Sequence, residues 1–337
     1  MYTSLKSLTL KSGETVELGL VAGPDADWVN RIDGDLLAHK GPVWRWGNRA
    51  MLTQDLGIDA LFYVLHRRGV PFANVMTIEY GGIGILGHVY TRPEDRRQGA
   101  ASLIFESLMP HFRNRGGRFL SLGTGYDSAA YHIYKSFGFA GIAPQSGTMT
   151  YHAQDPSVFE DGFLAPGATR VETFGPKHYP VTPVLFLRAC PGIVRACGTR
   201  LFGRTSTEGP FIPLLRDELE RQADGKPPRT GVLVQTQTGA VVGFASTDRD
   251  PTWPNTCVVD VFCLPEFWTE AGELLGHIQW PAADQYVAYC DAGWTEKEAA
   301  LRRAGFTMGA ALPGWVAKSR LSAERMDVNI WIKKQAR

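Results

Sequence analysis

The chain is short of several things. No stretch approaches the ~18 consecutive apolar residues that a membrane helix needs, so no membrane partner is expected. Net charge is almost absent: 35 Lys and Arg stand against 34 Asp and Glu, leaving +1. A dedicated nucleic-acid or membrane-surface protein needs a broad basic field, so no nucleic-acid partner is expected either, while a local basic patch stays open. Cysteine is scarce. There are five, Cys190, Cys197, Cys257, Cys263 and Cys290, all in the second half. None forms the short Cys pair of a zinc site, so no metal is expected. A disulfide framework does not suit a chain this long, and free thiols in a reducing compartment are the expectation. The opening residues, MYTSLKSLTLKSGETVELGL, lack the apolar core of a secretory signal. These absences point to a cytoplasmic protein.

What is present is enough for two cores. The 337 residues are 44% apolar, which argues against disorder and for two domains. Residues 14–21 alternate as a strand, and Trp28, Ile32 and Leu36 fall at helical spacing after Asp25. The aromatic stretch PVWRWGNR, Pro42 to Arg49, is expected as a loop. From Ala60 to Pro93 the chain reads strand, Arg-Gly turn, strand, Gly-Gly turn, strand. Leu103, Ile104, Leu108 and Phe112 then mark a helix over 98–113. RFLSLGTG reads as a strand, SAAYHIYKSFGF as a helix stopped at Gly138, and SGTMTYHA as a closing strand.

The pattern recurs. Val16 and Val171 stand 155 residues apart in similar strands, Pro93 and Pro265 172 apart in similar turns, and Gly138 and Gly305 167 apart after similar helices. Two similar domains in tandem account for this, with 1–152 and 167–337 as their extents and the Pro/Gly/Asp-rich stretch 153–166 as a linker. MDVNIWIKK would be the last strand of the second.

One stretch carries chemistry: HVYTRPEDRRQGAAS, His88 to Ser102. A strand runs to Thr91, Pro93 ends its pairing, and a helix opens near Gly99. A helix start presents up to about four unpaired amides and about half a positive charge, which suits a pyrophosphate. Gly99 keeps side-chain atoms out of the way, Ala100 and Ala101 keep the first turn narrow, and Arg96 and Arg97 add attraction. A charged surface turn would look much the same in isolation. The strand before and the amphipathic helix after set this one apart.

With its neighbours, the stretch resembles the acyl-CoA loop of the GNAT N-acyltransferase superfamily, [RQ]-x-x-G-x-[GA] after a strand. Some 35 residues on, LSLGTGYDSAAYHIYKSFGF is similar to that family's strand, polar residue, tyrosine helix and Gly-Phe, with Tyr134 at the tyrosine's place. The resemblance covers 14–152. It implies an α/β fold, two tandem GNAT-like domains, each a mixed, mostly antiparallel sheet flanked by helices. It implies an enzyme that moves an acetyl or other acyl group from acetyl-CoA or another acyl-CoA to a primary amine of a small molecule or peptide, as monomer or homodimer. The donor would lie along Val89, Tyr90, Thr91, Arg96, Arg97, Gln98, Gly99, Ala100, Ala101 and Ser102, with Asp127, Tyr131 and Tyr134 beside it. An amide near Val89 or Tyr90 would polarise the thioester carbonyl, and Tyr134 would act as general acid toward the leaving thiolate. The base stays open between His88, Glu79, Asp127 and a water relay, with His132 on the same helix as the tyrosine. Trp44, Arg45 and Trp46 fall in the segment that shapes the family's acceptor pocket. A non-catalytic acyl-CoA module, a carrier-bound donor and thioester decarboxylation are the alternatives.

The second copy departs from the pattern. Aligning Pro265 with Pro93 sets Trp268 at the place of Arg96 and Ala271 at that of Gly99, with Glu270 and Glu273 where phosphate would sit. Like charges there argue for a degenerate copy without acyl-CoA.

Overall fold

The computed structural model describes residues 1–319 and 321–335; the last two positions of the expected second domain lie outside the described residues. The chain divides into two compact units, Met1–Phe159 and Glu160–Arg337.

Unit 1 begins with strands β1 (Tyr2–Thr9) and β2 (Thr15–Ala22), a short helix α1 (Ala26–Val29) running into a π-helical segment Asn30–Leu36, and helix α2 (Pro42–Thr53). Then come β3 (Asp59–Arg67), β4 (Val70–Tyr80), β5 (Ile83–Thr91), α3 (Ala100–Asn114), β6 (Phe119–Gly123), α4 (Ala129–Ser136), β7 (Ala140–Gly141) and β8 (Thr148–His152). They form one sheet of order β1-β2-β3-β4-β5-β6-β8-β7, antiparallel except for the parallel pair β5–β6. The apolar runs of β3, β4 and β5 are buried along nearly their whole length, because helices cover both faces. On one face α3 buries Ile104, Phe105, Leu108 and Phe112 against Leu61, Tyr63, Val75 and Leu86.

The stretch 153–166, expected as a linker, holds helix α5 (Pro156–Phe163). Unit 2 follows with β9 (Thr169–Thr173), α6 (Thr182–Leu187), a hairpin of β10 (Val194–Ala196) and β11 (Leu201–Phe202), α7 (Glu208–Ala223), β12 (Thr230–Gln235), β13 (Val241–Arg249) and β14 (Thr256–Cys263). It ends with α8 (Ala271–His277), β15 (Gln285–Asp291), α9 (Thr295–Arg303), β16 (Thr307–Ala317) and β17 (Arg325–Lys334). Its main sheet runs β9-β12-β13-β14-β15-β17-β16, again parallel only at β14–β15. That is the order β2-β3-β4-β5-β6-β8-β7 of unit 1, so the two units are wound alike.

Three sequence expectations change. Pro42–Arg49 is the first part of a helix, not a loop. Pro42 suits its first turn; within 42–49 the helix buries only Gly47 and Asn48, which carry little apolar signal, while its buried apolar residues Ala50, Met51 and Leu52 lie beyond that stretch. β1 went unread because nearly all of it is exposed, leaving no apolar alternation to see. The two-residue β7 is too short for any periodicity.

Candidate active site

β5 and β6 pair only at Ile83–Phe119, Gly84–Leu120 and Ile85–Ser121. Beyond that they part. β5 then bulges: Met76 of β4 faces Gly87 while Asn74 faces Tyr90, so Val75 is opposed by two residues, His88 and Val89. His88 holds the extra turn at φ 51°, a left-handed conformation uncommon for a residue with a side chain. The bulge explains the side-chain directions. Val89 packs toward α3. Tyr90 turns to the other face, its ring 4.3 Å from that of His39, as does His88, whose ring meets the edge of Trp44 at 5.4 Å. Asn74 steadies the bulge by donating its Nδ2–H to the His88 carbonyl at 3.0 Å.

After Thr91 the chain makes a single 3-10 turn, Pro93–Asp95, and enters α3. The loop is braced from several sides. Arg67 Nη2 donates to Asp95 Oδ1 at 2.7 Å, Arg92 to Asp35 at 2.7 Å, Arg96 Nε to the Thr91 carbonyl at 3.2 Å, and the Lys11 amide to the Gln98 carbonyl at 3.1 Å. Arg97 and Gly99 both take positive φ, 64° and 84°. Gly99 is the N-cap of α3; no side chain caps the helix and its first turn holds no acid. A Cβ at Gly99 would meet Lys11 Cγ and Cε at 3.7 Å, an ordinary contact without a clash.

Tyr134 is buried in α4, its ring against Phe105 at 5.7 Å and Phe139 at 6.1 Å. α4 is capped by Ser128 Oγ, which accepts from the Tyr131 amide at 3.1 Å. Tyr131 meets the ring of Tyr126 edge-on at 5.3 Å. Asp127 is exposed, with φ 58°, and its carboxylate lies 2.9 Å from His132 Nε2.

The three residues weighed as base, His88, Glu79 and Asp127, do not come together. Asp127 and His132 form their own surface pair. Glu79 pairs with Gly84 at the start of β5, away from the bulge; both its oxygens accept from Arg115 Nη2, at 2.9 and 2.8 Å, and Oε1 also accepts from Thr77 at 2.6 Å. Burial pushes its carboxyl above the usual range. His88 lies at the bulge, but burial, with Lys40 and His39 adding to it, pushes the ring down to about 3, so it stands neutral and weakly basic. Sequence reasoning missed Asn74, Asp33 and Asn48. An Asn inside the apolar run FANVMTI was the available signal for the first.

Unit 2 answers each of these features differently. β14 pairs with β13 from Arg249–Cys257 to Gly243–Cys263 without a break, so it has no bulge. The count agrees: from the first parallel-paired residue to the proline is 10 steps in unit 1 (Ile83 to Pro93) and 9 in unit 2 (Thr256 to Pro265). Ala271 takes ordinary helical φ, −57°, and is fully buried beside the buried Trp268. Where β14 and β15 part, the chain's own hairpin sits. Asp260 of β14 accepts from the amides of Cys197 at 2.7 Å and Gly198 at 2.8 Å. Asp291 of β15 accepts from those of Ile193 and Val194, and Lys297 of α9 donates to the Val194 carbonyl at 2.8 Å.

Residues 70–146 match the family model described as FR47-like protein. None of the curated proteins matches the chain. Among solved structures it is similar to a ribosomal-protein-alanine N-acetyltransferase from Brucella melitensis, at 18% identity and TM-score 0.35, over 49% of this chain and 99% of that one. An acetyltransferase of the GNAT family from Streptococcus pneumoniae shows 10% identity and TM-score 0.35 over 50% and 100%. The ribosomal-protein-S18-alanine N-acetyltransferase from Escherichia coli shows 12% and 0.31 over 50% and 96%. Overlaps this small carry no argument. The family match is different, because it takes in the bulged strand, the proline turn, Gly99 and Tyr134, and its strand order returns in unit 2. Residues 70–146 are thus similar to the FR47-like family, and the chain is built as two GNAT-like α/β units of the same winding in tandem.

Proposed function

We propose that unit 1 transfers an acetyl or other acyl group from acyl-CoA to a primary amine, and that unit 2 holds no donor. The observation that carries this is the uncapped, acid-free start of α3 at Gly99, next to two parallel strands that part. The amides of Ala100, Ala101 and Ser102 would take the pyrophosphate, with the helix dipole and the exposed Arg96 and Arg97 favouring its charge. The parted edges of β5 and β6 would pair with the amide groups of the pantetheine arm.

In this reading the bulge leaves a backbone amide at Val89 outside the ladder, aimed at the thioester oxygen as it gains charge. The ammonium first loses one proton through water; the amine nitrogen then attacks the carbonyl carbon, the C–S bond breaks, the thiolate takes a proton from Tyr134, and the second proton shed by the nitrogen returns to Tyr134 through water. Neutral His88 serves as a hydrogen-bond acceptor for the amine, and Glu79, engaged with Arg115, takes no part.

Calorimetric titration with acetyl-CoA tests the donor site. One equivalent should bind to the wild type and at least thirtyfold more weakly to Gly99→Asp, a ratio worth about 2 kcal/mol. Absence of wild-type binding, or equal binding by both, would sink the reading. Binding without thiol release across a broad amine panel would favour a non-catalytic module. Release only from carrier-bound thioesters would favour a carrier donor.

A further inference from the structure

We infer that the acceptor is an amino acid, a small molecule presenting its amine to the β5 bulge and its carboxylate to α2; this rests on the donor reading above. Buried polar atoms without partners are few in folded proteins, and each costs roughly 1–3 kcal/mol. Among the described residues there are eleven such side-chain atoms, and five belong to the π-helical segment, α2 and strands β4 and β5: Asp33 Oδ1, Arg45 Nε, Asn48 Nδ2, Asn74 Oδ1 and His88 Nδ1. Asp33, in the π-helical segment, is wholly buried, and its Oδ2 ties down Arg49 Nε at 2.7 Å and Arg45 Nη2 at 3.3 Å. Asn48 lies three residues on from Arg45 and four on from Trp44, so along the helix it neighbours both. Trp44 reaches the His88 ring, and the His88 carbonyl is held by Asn74.

The five atoms divide by chemistry. Arg45 Nε and Asn48 Nδ2, both on α2, are donors. Asp33 Oδ1 and Asn74 Oδ1 are acceptors, and His88 Nδ1 is a third in the tautomer protonated at Nε2. Three acceptors suit the three N–H groups of an ammonium, and two donors suit a carboxylate. Charge agrees with this division. Arg45 and Arg49 outnumber Asp33 by one positive charge, and their side chains are 37% and 48% exposed, so the guanidinium edges are open to an anion.

The experiment uses the full chain with saturating acetyl-CoA. Thiol release is measured for each of the standard amino acids, its primary amide and its decarboxylated amine. At least one free amino acid should exceed both of its derivatives tenfold in kcat/KM. Arg49→Gln should lower kcat/KM for that amino acid at least tenfold more than for its amide, mainly through KM. Arg45→Gln, which leaves Arg49 on Asp33, provides the same readout should the first variant fail to fold. Equal or better turnover of amides and amines, or equal losses in the variants, overturns the inference. Thermal-shift titration of the same amino acids, with and without CoA, covers the case of no turnover: a shift with at least one upholds the inference, and none with any overturns it. Acetyl-CoA calorimetry on the same sample reports separately whether the donor reading stands.

Discussion

Asn74 Nδ2 lies 3.0 Å from the carbonyl oxygen of His88, and through that bond β4 holds β5 in its left-handed bulge. A non-glycine residue at positive φ persists only where its surroundings impose it, and such strain gathers at functional sites. Asn74→Leu should therefore relax the bulge. kcat should fall at least tenfold while the dissociation constant for acetyl-CoA moves less than threefold. Stopped-flow thiol release beside calorimetry separates the two, and unaltered kcat would remove the bulge from the mechanism.

At Gly99 the backbone sits at φ 84°. An alanine there has room, since the nearest atoms are 3.7 Å away, but it has to adopt a left-handed conformation costing roughly 1–2 kcal/mol. Gly99→Ala should weaken acetyl-CoA about tenfold, with a smaller loss than Gly99→Asp, which adds charge repulsion. Equal affinities for wild type and Gly99→Ala would show that the loop's conformation does not matter.

General acid catalysis contributes roughly 10²–10⁴ in rate. Tyr134→Phe keeps the ring packed on Phe105 and Phe139 and removes the proton. Turnover should drop by about two orders of magnitude with donor binding preserved. Full turnover by this variant would leave Tyr134 a core residue.

The His88 ring is held down to about 3 in the fold, against about 6.5 in an unfolded chain. Between these values the unfolded state binds a proton that the folded state does not. The stability that His88 contributes is thus present above about pH 6.5 and lost as pH falls toward 3, by up to ~1.4 kcal/mol per pH unit. His178, held down to about 4 by burial in unit 2, acts in the same direction. Denaturant midpoints of wild type and His88→Gln should converge as pH drops from about 7 to 4, and parallel curves would contradict the burial argument.

In unit 2, Asp260 accepts the Cys197 and Gly198 amides. Asp260→Ala removes two part-buried hydrogen bonds to a carboxylate, roughly 1.5–3 kcal/mol each. It should lower the melting temperature by several degrees, leave acetyl-CoA affinity within twofold, and keep the stoichiometry at one. A second equivalent bound by wild type would show that unit 2 takes a donor after all.

The order of unit 1's strands from β2 onward, the two-residue β7 apart, the two-unit plan, the proline turn and the Gly99 helix start were legible in the sequence. Each rests on local rules: apolar periodicity, proline's missing donor, glycine's freedom at positive φ. The same rules missed α2, because within 42–49 only Gly47 and Asn48 are buried, and the apolar Ala50, Met51 and Leu52 that anchor the helix follow after it. They also could not see the bulge, since one extra residue in a strand shows only when its partner strand is in register beside it. The candidate bases looked equivalent on paper; burial and partners separate them, setting His88 neutral at the bulge, Glu79 on Arg115 and Asp127 on His132. The acids of the second copy's turn did suggest a closed corner. That its own hairpin lies where β14 and β15 part was decided only in three dimensions, where residues some sixty to one hundred positions apart come within hydrogen-bonding distance.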